Sequence, residues 1–194
     1  MQTRLMISVL AAMLLLAGCG IKVQTGQSPE EEVETSERRA DLMRRQWASQ
    51  LAAASPVMMA DMVATRIDST AAMYVGFGER VIDEWRKANI GRGTEVPATE
   101  MRDVVDAWVQ TQRPILAAHE DNITEGVRLV EESRYFDAPL LDRLNEMVQQ
   151  HDAIYSTVFY PNGTVEDYND AIIRERTALV KMSEEFHRKL EGYR

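Results

Sequence analysis

The period of the apolar residues constrains this chain more than any other feature. From residue 33 to residue 190 apolar side chains return every three or four positions, broken only by short runs rich in proline, glycine and capping residues. That is the 3.6-residue period of a helix face, not the two-residue alternation of a strand. Val33, Ala40, Met43, Trp47, Leu51 and Ala54 form the first stripe. Met59, Val63, Ile67, Thr70, Tyr74, Phe77, Val81 and Trp85 form the second. Met101, Val105, Trp108, Ile115, Ile123, Val127 and Val130 form the third. Leu140, Leu144, Met147, His151, Ile154 and Val158 form the fourth, and Val165, Tyr168, Ile172, Leu179, Met182, Phe186 and Leu190 the fifth.

The breaks between stripes carry helix start and stop signals. Ser28-Pro29, Ser55-Pro56 and Asp137-Ala-Pro139 each offer a capping side chain followed by proline in the first turn. Thr99 is the expected cap of the third helix, and Thr164 with Asp167 suits the cap of the last. Gly91 fits the left-handed position after a helix end. Pro161-Asn162-Gly163 reads as a turn between helices, because its flanks keep the helical period. Pro114 falls inside the third stripe, so a kink or a restart is expected near Gln112. Gly76 and Gly78 mark a place where the second helix can bend or thin. The expected fold is all-α: an elongated antiparallel bundle of about five helices, with no strand. A helix of about 35 residues would be ~52 Å long.

Composition narrows the function classes. The chain has 194 residues, a formal charge of −9 and a single cysteine. A lone cysteine cannot form an internal disulfide or a four-thiolate zinc site. The acidic balance opposes nucleic-acid binding through phosphate neutralisation, so no nucleic-acid partner is expected.

The first residues have an organisation of their own. Arg4 precedes an apolar run over residues 5–17, broken by Ser8, and the run ends in Leu16-Ala17-Gly18-Cys19. The run is shorter than the ~20 apolar residues that span a bilayer and matches a secretory leader. The Leu-Ala-Gly-Cys sequence resembles the lipobox of bacterial lipoproteins. The resemblance covers the leader alone and finds no counterpart in the helical part. It implies cleavage before Cys19, a diacylglycerol on the Cys19 thiol and usually an acyl group on its amine. It also implies an outer-membrane address facing the periplasm, because Gly20 and not aspartate follows the cysteine. Two or three acyl chains anchor firmly at about 0.8 kcal/mol per buried CH₂. The expected organisation is therefore a signal peptide over 1–18, a lipidated tether with a frayed helix start over 19–35, and a helical bundle over 36–194. Residues 20–27 have no structural period and would span roughly 15 Å as a flexible tether. Loss of Arg4 with the leader takes the charge from −9 to −10.

Each possible chemical site competes with a plainer reading. Met58, Met59 and Met62 could offer thioethers to Cu(I), but Met59 and Met62 fall near the apolar stripe, as core fillers do. Glu184 and His187 form one Glu-x-x-His, whereas a di-iron bundle needs two. His119-Glu120-Asp121 contains acid and base, but the stripe turns Glu120 and Asp121 outward and leaves His119 at its edge. His151 lies within its stripe as a hydrogen-bonded core residue. Arg38, Arg39, Arg44 and Arg45 could meet anionic head groups, yet nearby glutamates dilute them, and Glu34 pairs with Arg38 at helical spacing. Trp47, Trp85 and Trp108 sit on stripes as core anchors, with partner-facing hot spots as the other reading. Phosphate-loop, serine-elbow and zinc-protease motifs are absent from the sequence.

The sequence-level expectation is a non-enzymatic lipoprotein without cofactor or metal, held to the membrane through Cys19 and binding an envelope protein. A metal-, haem- or lipid-binding bundle is the alternative, motivated by the methionines and histidines. An inhibitor or immunity lipoprotein is the second alternative, motivated by the acidic surface.

Overall fold

The structure, a computed structural model, describes residues 29–92 and 94–194, with side chains from residue 34. The leader, Cys19, the tether, the Ser28 cap, the Val33 side chain and Gly93 lie outside the described residues. The rest is all-α. Five helices follow in order: α1 (Pro29–Ala52), α2 (Pro56–Asn89), α3 (Ala98–Glu132), α4 (Ala138–Phe159) and α5 (Val165–Leu190), closed by a 3₁₀ turn at Glu191–Tyr193. No strand occurs among the described residues, and none of their helices is long and apolar enough to cross a membrane.

Local sequence explains most of the helix ends. The Ser55 hydroxyl accepts the Met58 N–H, and Pro56 opens α2. The Asp137 carboxylate accepts the Leu140 N–H at the start of α4. Thr164 and Asp167 exchange side-chain and backbone bonds, a full capping box for α5. After α2, Gly91 takes a φ of 77°, which a Cβ would oppose.

Two expectations are corrected. Thr99 does not cap α3: the helix begins at Ala98, with Pro97 at the cap and no side-chain cap bond. Pro97 holds the extended entry, and its carbonyl takes the Glu100 N–H. Thr99 thus falls inside the first turn, where its hydroxyl is past the exposed amides it would need to reach. Of the kink or restart expected near Gln112, the restart does not occur: α3 runs unbroken through Pro114. Proline removes the bond to the carbonyl four residues back. That residue, Gln110, is exposed, so water can take the vacated acceptor.

The described helix with the most buried residues is α2, and α2 sits at the centre. Its partners are α3, α4 and α5, while α1 packs chiefly on α3. Residue pairings give the directions. Val63, Thr70 and Phe77 of α2 lie beside Gly126, His119 and Trp108 of α3, so the two are antiparallel. Asp68, Gly78 and Trp85 meet Ser183, Ile172 and Tyr168, so α5 is also antiparallel to α2. Tyr74 and Phe77 meet His151 and Phe159, which sets α4 parallel to α2. Trp47 of α1 donates its indole N–H to the Asn122 carbonyl, and Arg44 pairs with Asp121.

Tight approaches depend on glycine. A Cβ on Gly126 would come within 2.6 Å of Val63 and 3.3 Å of Trp47. A Cβ on Gly78 would come within 2.6 Å of Ile172. The second helix is continuous through Gly76 and Gly78, and the missing Cβ of Gly78 lets α5 close on it. One end of the bundle is further tied by loop contacts. The Trp85 indole donates to the Val96 carbonyl, the Val96 N–H to Asn89, the Val165 N–H to Glu95, and Arg102 to the Pro161 carbonyl. These bonds satisfy groups that the turns between helices would otherwise leave orphaned.

Candidate functional site

Because α2 occupies the centre, α3 and α4 touch only lightly, and side chains from α2 fill the seam between them. Tyr74 is fully buried there. Its ring packs against His151, Tyr155 and Phe159 at centroid distances of 5.3, 5.4 and 5.3 Å. Its hydroxyl donates to Glu120 Oε1 on α3. Burial, and then the Glu120 charge, raises the phenol pKa, so Tyr74 stays a donor.

His151 of α4 lies on the other side of that carboxylate. The side chain is wholly buried. Its Nε2 stands 3.7 Å from Glu120 Oε1 and has no hydrogen-bond partner. Its Nδ1 stands 3.4 Å from Asp152 Oδ1. Glu120 is half-buried and Asp152 exposed, so the cluster reaches from the core to the surface. One donor atom from each of Glu120, His151 and Asp152 lies within 4.8 Å of the other two.

His119 sits beside this cluster, nearly closed to solvent, with Nδ1 3.3 Å from the Thr70 hydroxyl. Burial pushes its pKa down to about 4, helped by the Arg66 charge and then by His151. It is a neutral imidazole at neutral pH. Arg66 itself lies over the Trp47 ring, 4.6 Å from the centroid.

The sequence placed Glu120 on the outward face, and the structure corrects this. Glu120 lies four residues after buried Leu116 and three before buried Ile123, so it borders the inner face. Asp121 does point outward, to Arg44. The approach of Glu120 to His151 carried no sequence signal, since the two lie on different helices and their meeting depends on how those helices are rotated. The i,i+3 and i,i+4 relations to Leu116 and Ile123 were the available clue.

A second polar group joins α2 to α5 and the last turn. Ser183 Oγ donates to Asp68 Oδ2. His187 Nδ1 is 2.8 Å from the Ser183 carbonyl and 3.3 Å from its Oγ. Asp61 Oδ1 lies 3.5 Å from His187 Nε2 and 3.6 Å from Arg194. Serine, histidine and acid are all present, but the polarity is wrong for the histidine to activate the serine. With its proton directed at a carbonyl, Nδ1 offers Ser183 no lone pair, and the Ser183 proton goes to Asp68. Burial raises the Asp68 pKa, opposed by the Ser183 bond and the His187 charge. Beside this group a cleft of about 270 Å³ opens between α2 and α5, lined by Ala71, Ala72, Leu179 and Val180 with Asp68 and Arg176.

The remaining sequence candidates fall in different places. Met58 is exposed, while Met59 and Met62 pack at the edge of the core. Glu184 is exposed beside the cleft, and His187 turns to Asp61 instead of joining it. Arg38 pairs with Glu34, and Arg44 with Asp41 and Asp121. Trp47 and Trp85 are buried. Trp108 is half-buried and stacks on Phe77 at 3.9 Å. Comparison with protein-family models, curated proteins and solved structures finds no match to this chain.

Proposed function

We propose that this chain is a lipid-anchored module of the bacterial outer membrane, facing the periplasm, that works by binding an envelope protein and not by catalysis. Support for the anchor is the Leu16-Ala17-Gly18-Cys19 sequence and its likeness to a lipobox. The observation that carries the binding role is the open face of α5. Ile173 and Val180, two turns apart, are 54% and 48% exposed, and Val180 lines the apolar cleft against α2. Large apolar side chains beside an open cleft are what a partner helix or loop can cover. The acidic balance of the chain favours a basic partner through steering.

The reading is tested in two arms. Cys19→Ala should abolish palmitate labelling and move the protein out of the detergent phase; continued labelling would remove the anchor. Crosslinking in intact envelopes should recover one partner with the native chain, and recovery should fall at least about tenfold with Val180→Asp or Ile173→Asp. Equal recovery with both variants would place the contact elsewhere. A captured partner that proves to be a lytic enzyme or toxin would mark the chain as an inhibitor.

A further inference from the structure

The seam between α3 and α4 holds an imbalance that the fold alone does not resolve. His151 is wholly buried, yet its Nε2 has no partner. A buried polar atom left unpaired costs about 1–3 kcal/mol and calls for a physical reason. Tautomer choice does not supply one. With the proton on Nδ1, the ring can face Asp152 at 3.4 Å, and the Nε2 lone pair points toward Glu120 Oε1 at 3.7 Å. That oxygen already accepts from Tyr74, so two electron-rich atoms face each other with no hydrogen between them. With the proton on Nε2, 3.7 Å is too long for a hydrogen bond, and the Nδ1 lone pair faces the Asp152 carboxylate instead. In either form an imidazole lone pair opposes a carboxylate, an arrangement that a bound cation relieves.

We propose that Glu120, His151 and Asp152 bind one divalent transition-metal ion at the α3–α4 seam. The donor atoms of the three residues already lie within 4.8 Å of one another. Ligands about 2.0–2.1 Å from a tetrahedral zinc stand roughly 3.4 Å apart, so the 3.7 Å between His151 and Glu120 has only a few tenths of an ångström to close. One imidazole and two carboxylates suit zinc, cobalt, nickel or iron, whereas the imidazole makes calcium and magnesium poor fits. The Tyr74 hydroxyl fixes the Glu120 carboxylate, and the Tyr74, Tyr155 and Phe159 rings close the inner side. Exposed Asp152 and half-exposed Glu120 give the ion a path from solvent and leave room for water ligands. This site does not depend on the anchored-module reading.

The test uses the full chain in detergent, stripped with chelator and titrated with Co²⁺. The expected result is a visible d–d band saturating at one ion per chain, displaced by Zn²⁺, and a higher melting temperature with Zn²⁺. Glu120→Gln and Asp152→Asn lie toward the surface, so the fold should persist by circular dichroism while affinity falls at least about tenfold in each. His151→Gln should abolish the band. Asp83→Asn, an exposed carboxylate far from the seam, should leave affinity unchanged. Absence of a band, or an affinity in Glu120→Gln and Asp152→Asn equal to that of the native chain, would overturn the proposal.

Discussion

His119 couples the acidity of the medium to the stability of the bundle. Its pKa falls from an ordinary 6.5 to about 4 in the folded chain. Between those values the unfolded chain binds a proton that the folded chain refuses. Folding stability therefore declines as pH drops from 6.5 toward 4, by about 3 kcal/mol in all, and this contribution levels off below 4. His119→Gln removes that contribution, so its unfolding free energy should lose about 3 kcal/mol less than the native chain's over this range. Parallel urea-unfolding curves for the two proteins across the range would refute the assignment. Glycine gives a second contrast at this scale. A Cβ on Gly76 meets nothing within 4 Å, so Gly76→Ala should stabilise by about 0.5–1 kcal/mol. Gly126→Ala drives a methyl into Val63 and Trp47 and should destabilise by about 1–3 kcal/mol despite the better helix propensity. Denaturation midpoints moving the same way in both would contradict the packing described.

Among the helices, most ends set by neighbouring residues were legible in the sequence, the start of α3 at Pro97 excepted, and the features set by distant contacts were not. Ser55, Asp137 and Thr164 act within three residues of themselves, so their caps can be read from the sequence. The continuity of α3 through Pro114 depends on which side of the helix meets water, and the sequence leaves that open. Glu120 shows the same limit more sharply. Its own helix places it at the border of the apolar face, and only α2 and α4 turn that border into a site. Trp108, read as a core anchor, is half-buried and packs against the core through Phe77. The end of α3 also carries strain that no sequence signal marked. Arg134, just past the helix, takes a φ of 52°, the left-handed region that disfavours a Cβ. Arg134→Gly should stabilise the protein by about 1 kcal/mol, measured as a rise in melting temperature. A lower one would show that the Arg134 side chain contributes more than its backbone costs.

The described residues form a four-helix assembly, α2 to α5, with α1 laid on its α3 side. The all-α class followed from the apolar period, but the central position of α2 did not. Every stripe reads alike in sequence, and only packing decides which is surrounded. The second helix has the most buried residues of the described helices, between Ala60 and Trp85. The placement of α1 has a mechanical meaning. A force applied at Pro29 would enter the fold through α1, whose grip is mostly on α3 at Trp47 and Arg44. The contact between α1 and α3 is therefore the first to bear such a force. Under tension α1 should peel away first, as a fuse that parts before the four helices behind it are disturbed.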